Sequence, residues 1–178
     1  MKYSLHVLSL FFLFCTSSVV YAEPKVCFSP NGACQEAVVT QISKAQRSIE
    51  IAMYSFTSRE IAQALVEAKK RQVKVRVILD NAQIKDPYSK SRYLMGKGIN
   101  VKFRLGPGLM HNKFAVIDGK VLLTGSFNWT ASADRKNAEN LLIISSKELA
   151  QKYEKQFKLL WAQSGEGMFK AGLPEEKE

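Results

Sequence analysis

Two hydrophobic periods alternate along most of this chain. The run Lys25–Ser29 (KVCFS) reads as a short strand, and Cys34–Ser48 as a helix with Val38, Ile42 and Ala45 along one side. IEIAMYSF, from Ile49 to Phe56, returns to strand character. TSRE then has the form of a capping box, with Thr57 as N-cap and Glu60 three residues on, opening a helix to about Gln72. VKVRVILD (73–80) alternates as a strand and runs into a loop through Asp86 and Pro87. A short helix, Ser89–Gly96, precedes the strand INVKFRL. The stretch HNKFAVIDGKVLLTGSFNWT (111–130) reads as two strands around a turn, NLLIISS as a further strand, and Lys147–Gln163 as an amphipathic helix turning Leu149, Tyr153, Phe157, Leu160 and Trp161 inward. Repeated strand–helix–strand units imply an α/β fold: a mixed, largely parallel sheet with helices on both faces and one late antiparallel hairpin.

The two ends stand apart from this pattern. Lys2 is followed by 16 mostly apolar residues, Leu5–Val20, and then by VYAEP. A basic start, an apolar core and small residues before a break describe a secretory leader, residues 1–22, cleaved between Ala22 and Glu23. The rival reading is an uncleaved anchor, although the run falls short of the roughly 20 residues of a comfortable span. One domain, residues 23–165, is expected to follow, and then a flexible tail over 166–178. Export makes the protein periplasmic or secreted, with no stable membrane association once the leader is gone. In that oxidising setting Cys27 and Cys34 are expected to close a disulfide across FSPNGA.

A composition of 46% apolar and 24% charged residues is that of a globular chain. Removing the leader takes Lys2 and His6 with it, which leaves a charge of +9 and His111 as the lone imidazole. The positive charge is uneven: 11 Lys or Arg lie between Lys69 and Arg104, with only Asp80 and Asp86 opposing them. Such a segment favours a polyanion, nucleic acid first and anionic lipid headgroups second.

The most informative stretch is 111–130. A two-residue turn at Asp118-Gly119 or Gly119-Lys120 sets His111 opposite Ser126 or Asn128. In both registers His111, Lys113, Ser126 and Asn128 share one face, because side chains alternate with period two. A three-residue loop would flip one strand and break the cluster. Four polar groups among Phe114, Val116, Leu122 and Leu123 are costly unless they bind something. Lys, Ser and Asn donate well to phosphate oxygens, and an imidazole beside them can act as nucleophile or as general acid–base. Asp118 lies five residues beyond Lys113, roughly 16 Å along a strand, and reads as a turn or salt-bridge residue. A lone His beside a Lys is a poor metal ligand set, so no metal or other cofactor is expected. A Ser–His–Asp hydrolase is disfavoured because Asp118 is out of reach and Ser126 lacks a strand-to-helix elbow.

These residues also resemble a known family. His111-x-Lys113, Asp118 after four residues, and Gly125-Ser126-x-Asn128 after six more are similar to the HKD motif of the phospholipase D superfamily. YSFTSREIAQALVEAKKRQVKVRVILD and KNAENLLII extend the likeness to its small secreted bacterial endonucleases, over about Lys25 to Gln163. The resemblance implies a metal-independent phosphodiesterase in which the motif His forms a phosphohistidine and a second motif His protonates the leaving oxygen. By position, His111 takes these roles, Lys113, Ser126 and Asn128 hold phosphate oxygens, and Glu139 matches the carboxylate that bonds the His. Larger relatives carry two such motifs, whereas this chain carries one. A homodimer with both His111 side chains at its two-fold axis follows as the expectation, with DNA, or alternatively RNA, as substrate. A lipid phosphodiesterase and a catalytically silent nucleic-acid-binding module are the competing readings.

Overall fold

Apolar residues in unbroken runs need cover on both faces of a sheet. Ile49, Ile51, Ala52 and Met53 are all buried, as are Val77, Ile78 and Leu79. They belong to β2 (Ser48–Met53) and β3 (Lys74–Leu79), which pair in parallel at the centre of the sheet. β4 (Asn100–Arg104) extends the parallel part beyond β3. The computed structural model describes residues 23–31 and 33–167. The expected leader, and the expected tail from residue 168 onward, lie outside the described residues.

The remaining strands are β1 (Lys25–Ser29), β5 (Lys113–Ile117), β6 (Val121–Gly125), β7 (Glu139–Ser145) and the two-residue β8 (Ser164–Gly165). One eight-stranded sheet results, in the order β1-β7-β6-β5-β2-β3-β4-β8. The expected α/β class with a mixed sheet holds. Parallel pairing is confined to β2-β3-β4, where α2 (Arg59–Lys70) and α3 (Ser91–Gly96) make the crossovers that parallel neighbours require. β5, β6 and β7 follow one another through a turn and the short α4 (Ala131–Arg135), and together with β1 they pair antiparallel, so the hairpin belongs to a larger antiparallel half.

α1 (Cys34–Lys44) and α2 cover one face through a core that includes Val38, Ile42, Leu65, Ile51 and Val77. α5 (Lys147–Ala162) covers the other, where Ala150, Phe157 and Leu160 meet Ala52, Ile78, Phe114, Val116 and Leu122. Leu149, expected inward, is 37% exposed, and Ala150 takes the buried position instead. Beneath α5, Glu50 and Arg76 form an ion pair across β2 and β3, and the Arg76 guanidinium lies against the rings of Phe157 and Trp161. The cap of α2 falls one residue later than its motif implies: Ser58, not Thr57, accepts from Ile61 N at 3.2 Å. Cys27 and Cys34 are neighbouring thiols here rather than the expected disulfide. Burial, reinforced by Cys27, pushes the Cys34 thiol up to about 11.

The hairpin turn also differs from expectation. Ile117 pairs with Val121, so three residues, Asp118-Gly119-Lys120, make the connection. Asp118 and Gly119 both adopt left-handed backbone angles (φ 55° and 65°). A non-glycine residue holds that conformation here because its side chain is anchored. The Asp118 carboxylate accepts from the backbone N–H groups of Gln46, Arg47 and Ser48 at 3.0, 2.7 and 3.0 Å, which stitches the turn to the entry of β2. Burial raises the Asp118 pKa, but these three donors outweigh it and hold the carboxyl below its ordinary value. Its ionised form therefore stabilises the fold above the ordinary carboxylate range, and that contribution is lost as pH falls through the depressed value. Asp118→Ala should lower stability at pH 7 by on the order of 2 kcal/mol, since three N–H groups lose their acceptor. Urea unfolding of the pair across pH 3 to 7 checks this, and the difference between them should shrink on the acid side.

Candidate active site

Strand polarity gathers the site. β1, β2, β3, β4 and β6 all end on one edge of the sheet, where β5 and β7 begin. His111 precedes β5, Lys113 opens it, Ser126 and Asn128 follow β6, and Glu139 opens β7. Side chains from three strand ends thus meet at the carboxyl edge of the parallel strands, the usual place for sites in open α/β sheets. Asp118 lies at the opposite edge, apart from this cluster.

With a three-residue turn, the ladder places Phe114 opposite Thr124 and Ala115 opposite Leu123. Neither register expected from a two-residue turn occurs, and continued pairing would have separated the polar residues as anticipated for this loop. The ladder stops first. Gly125 adopts φ 152°, and Ser126 N and Phe127 N both donate to the single carbonyl of Asn140, at 3.1 and 3.2 Å. Two residues opposing one is a β-bulge, and beyond it the alternation of β6 no longer dictates where Ser126 points.

Ser126 is held instead by β7. Its hydroxyl donates to Glu139 Oε2 at 2.5 Å and accepts from Asn140 N at 3.1 Å. Asn137 Nδ2 donates to the other Glu139 oxygen at 3.1 Å. Asn128 is fixed through its Oδ1, which accepts from Ser55 N at 3.3 Å just past the end of β2. Lys113 Nζ donates to His111 O at 2.9 Å, lies 3.2 Å from His111 Nδ1 and sits 4.8 Å above the Tyr54 ring. The same Tyr54 ring tilts against the His111 imidazole at 4.5 Å. Burial lowers the Lys113 pKa, and the Glu139 carboxylate opposes that shift, so the two charges feel one another across the site.

These contacts bring His111, Lys113, Ser126, Asn128 and Glu139 to one edge, with Ser126 bonded to Glu139 and Lys113 within reach of its charge. They do not join His111 to Glu139: no hydrogen bond connects the two among the described residues of one chain. The imidazole is otherwise exposed to solvent. The donor set of Lys, Ser and Asn around one imidazole is suited to a phosphate group.

Sequence reasoning missed two residues. Tyr54 buttresses both His111 and Lys113, and nothing in the alternation of β2 marks it. Asp80 is 3% exposed, and its carboxylate accepts from Ala82 N at 3.0 Å and from Met110 N at 2.8 Å, which pins the residue next to His111. A carboxylate closing an apolar strand at its carboxyl end was the available signal. The basic segment also changes meaning in three dimensions. Lys69, Lys70, Arg71, Lys74 and Lys97 fall at the amino edge of the sheet, away from His111. Arg76 and Lys102 pack beside Trp161 under α5, while Lys85, Lys90, Arg92 and Arg104 remain toward the catalytic edge.

Comparison with known proteins agrees with this arrangement. The family described as "Cardiolipin synthase, PLD-like domain" matches residues 38–161. The chain belongs to this phospholipase D-like family and is a phospholipase D-superfamily phosphodiesterase. It is 40% identical over 137 residues to a phospholipase D of Rickettsia felis, covering 77% of this chain and 68% of that one. It is 42% identical over 124 residues to a mitochondrial cardiolipin hydrolase of Xenopus laevis, covering 70% of this chain and 59% of the relative. Among solved structures, Nuc of Salmonella typhimurium, a phospholipase D family member, superposes with a TM-score of 0.77 at 32% identity, covering 80% of this chain and 96% of Nuc. NucT of Helicobacter pylori gives 0.73 at 27% identity, over 80% and 97%.

The bulge yields a direct test. A Cβ at residue 125 would collide with the Asn140 carbonyl and crowd Asn140 Oδ1, in a backbone conformation that side chains rarely adopt. Gly125→Ala should cost about 2 kcal/mol or more of stability and displace Ser126. Hydrolysis of bis(p-nitrophenyl) phosphate, measured where the variant is still folded, should fall at least about tenfold, in line with the cost of a misplaced site.

Proposed function

We propose that this protein is a metal-independent endonuclease that cleaves DNA, or alternatively RNA, with little sequence preference. The observation that carries the reading is the convergence of an exposed imidazole, an ammonium, a hydroxyl and an amide on one sheet edge beside a single carboxylate. His111 attacks phosphorus, the bond to the leaving oxygen breaks, and that oxygen takes its proton from a second imidazole. Water then displaces His111 from phosphorus and restores the free enzyme. Lys113, Ser126 and Asn128 hold the non-bridging oxygens through both steps. Glu139 orients Ser126 and balances the charge of Lys113.

The second imidazole is the partner subunit's His111, because the described residues of one chain hold a single histidine. A two-fold dimer joined at the carboxyl edge brings the two rings together as a coupled pair, one neutral and one protonated. The neighbours Nuc and NucT, whose names suggest nucleases, support the substrate. The leader pattern of residues 1–22 supports action in the periplasm or outside the cell.

One observation favours a second reading. Tyr88, Leu105 and Leu109 are 74%, 54% and 65% exposed on loops toward the catalytic edge. An apolar rim of this kind suits acyl chains, and two relatives are named for phospholipid or cardiolipin hydrolysis.

Plasmid cleavage in excess EDTA decides most of this. Cleavage should persist in EDTA, fall by about three orders of magnitude or more in His111→Asn, and fall by about two orders in Lys113→Ala. Loss of activity on chelation would exclude the metal-free route, and full activity in His111→Asn would exclude the nucleophile. Specific activity should drop on dilution as dimers separate. Release of choline from phosphatidylcholine at a rate exceeding DNA cleavage would support the lipid reading instead.

A further inference from the structure

The edge of the sheet opposite the active site is strongly basic. Lys44 closes α1, Lys74 opens β3, Lys97 follows α3, Lys120 sits in the hairpin turn and Lys147 opens α5. All five are exposed. They lie beside the cations Lys69, Lys70 and Arg71 already placed at this edge. Three hydrogen bonds draw these element ends together: Lys74 N to Arg47 O at 2.9 Å, Arg71 to Ile42 O at 3.1 Å, and Asp118 N to Ser48 O at 2.8 Å.

The acids at this edge are already engaged, Glu67 by Lys70 of the same edge. Asp118 is saturated by backbone donors, Glu67 pairs with Lys70 at 2.7 Å, and Glu148 pairs with Lys152 at 2.7 Å. No described carboxylate lies within ion-pair distance of Lys44, Lys74, Lys97, Lys120 or Lys147. An open cleft of about 510 Å³ sits in the middle, with Arg47, Lys120 and Lys147 converging on it beside Ser48 and Gln151. Its one other acid, Glu154, pairs with Lys158 at 3.1 Å.

From this geometry we infer that the amino edge docks the protein, reversibly and electrostatically, on an anionic phospholipid surface, with the active site facing away. Two observations favour lipid over nucleic acid at this face. First, β2 and β3 span roughly 20 Å, so a strand held at His111 reaches this edge only by wrapping around the whole sheet. The cations instead come from the ends of three helices, a strand and a turn around a single edge, an arrangement matched to a flat, uniformly anionic surface. Second, β1 runs parallel to β2 and starts at this same edge with Lys25, and the apolar run Leu5–Val20 ends only a few residues earlier in the sequence. Membrane contact by that run would bring the edge where β1 starts close to headgroup phosphates. The cleft then seats one such phosphate between Arg47, Lys120 and Lys147.

Hydrogen exchange of the full chain tests this at low salt, with vesicles of phosphatidylglycerol and phosphatidylcholine, with phosphatidylcholine alone, and without lipid. Peptides covering residues 42–47 and 117–122 should gain protection with the anionic vesicles only, and lose it in high salt. The fourfold variant Lys44→Glu, Lys74→Glu, Lys97→Glu, Lys120→Glu should bind those vesicles upward of about 100-fold more weakly, given about fivefold per cation. Its hydrolysis of a soluble phosphodiester should be unchanged, which shows that it is folded. A control with the same net charge, reversed at Lys85, Arg135, Lys136 and Lys155, should keep the protection. Equal protection with neutral vesicles would overturn the proposal, as would protection at residues 105–113 in its place. So would a fourfold variant that loses duplex DNA binding while keeping vesicle protection, since the face would then serve nucleic acid. The fourfold variant's circular dichroism should match that of the parent chain as well, so neither the vesicle readouts nor the check of folding requires the phosphodiesterase reading to be correct.

Discussion

One carbonyl oxygen carries much of this structure. Asn140 O receives two successive N–H groups, from Ser126 and Phe127, where a regular ladder would give it one. The hairpin before it is locked by Asp118 into a three-residue turn, whose register would carry Ser126 away from Lys113 if the strand simply continued. The bulge releases Ser126 from that alternation and delivers it to Glu139, beside Lys113. Gly125 makes the bulge possible, because a side chain there would strike the very carbonyl that organises it. The scaffold end of the motif and its chemical end are therefore coupled: Asp118 sets the register, and Gly125 corrects it.

Charge is sorted by the same sheet. Residues that are neighbours in sequence between Lys69 and Arg104 separate onto opposite edges, because each crossover carries the chain from one edge to the other and back. At the catalytic edge the charge of Lys113 is opposed by Glu139, while Lys85, Lys90, Arg92 and Arg104 lie around it. The amino edge holds cations whose local acids are already engaged. A single measure of net charge averages two surfaces with different partners.

How far the sequence could be read depended on the range of the interactions involved. The apolar runs of β2 and β3 and the amphipathic face of α5 are local patterns, and they predicted their elements well. Spacing also collected His111, Lys113, Ser126 and Asn128, but for an incorrect reason: it assumed a two-residue turn and unbroken alternation. The Asp118 contacts with residues 46–48 and the double donation to Asn140 join segments far apart in sequence, so no local pattern reveals them. Glu139 entered through family resemblance alone, and Tyr54 was missed because its role depends on β5 lying against β2. The cysteine pair shows a further limit: closeness in sequence gave proximity, but the two stand as free thiols.

The central claim is that His111 is a phosphorus nucleophile in a site needing no metal. It is tested most directly by trapping. DNA cleavage run in EDTA is stopped within milliseconds by alkaline denaturant, which preserves phosphoramidate bonds, and the peptide containing residue 111 is analysed by mass spectrometry. The account predicts a nucleotide adduct on His111 that forms and decays within one turnover. Cleavage that proceeds at full rate with no adduct on His111, or with the adduct on another residue, would contradict it.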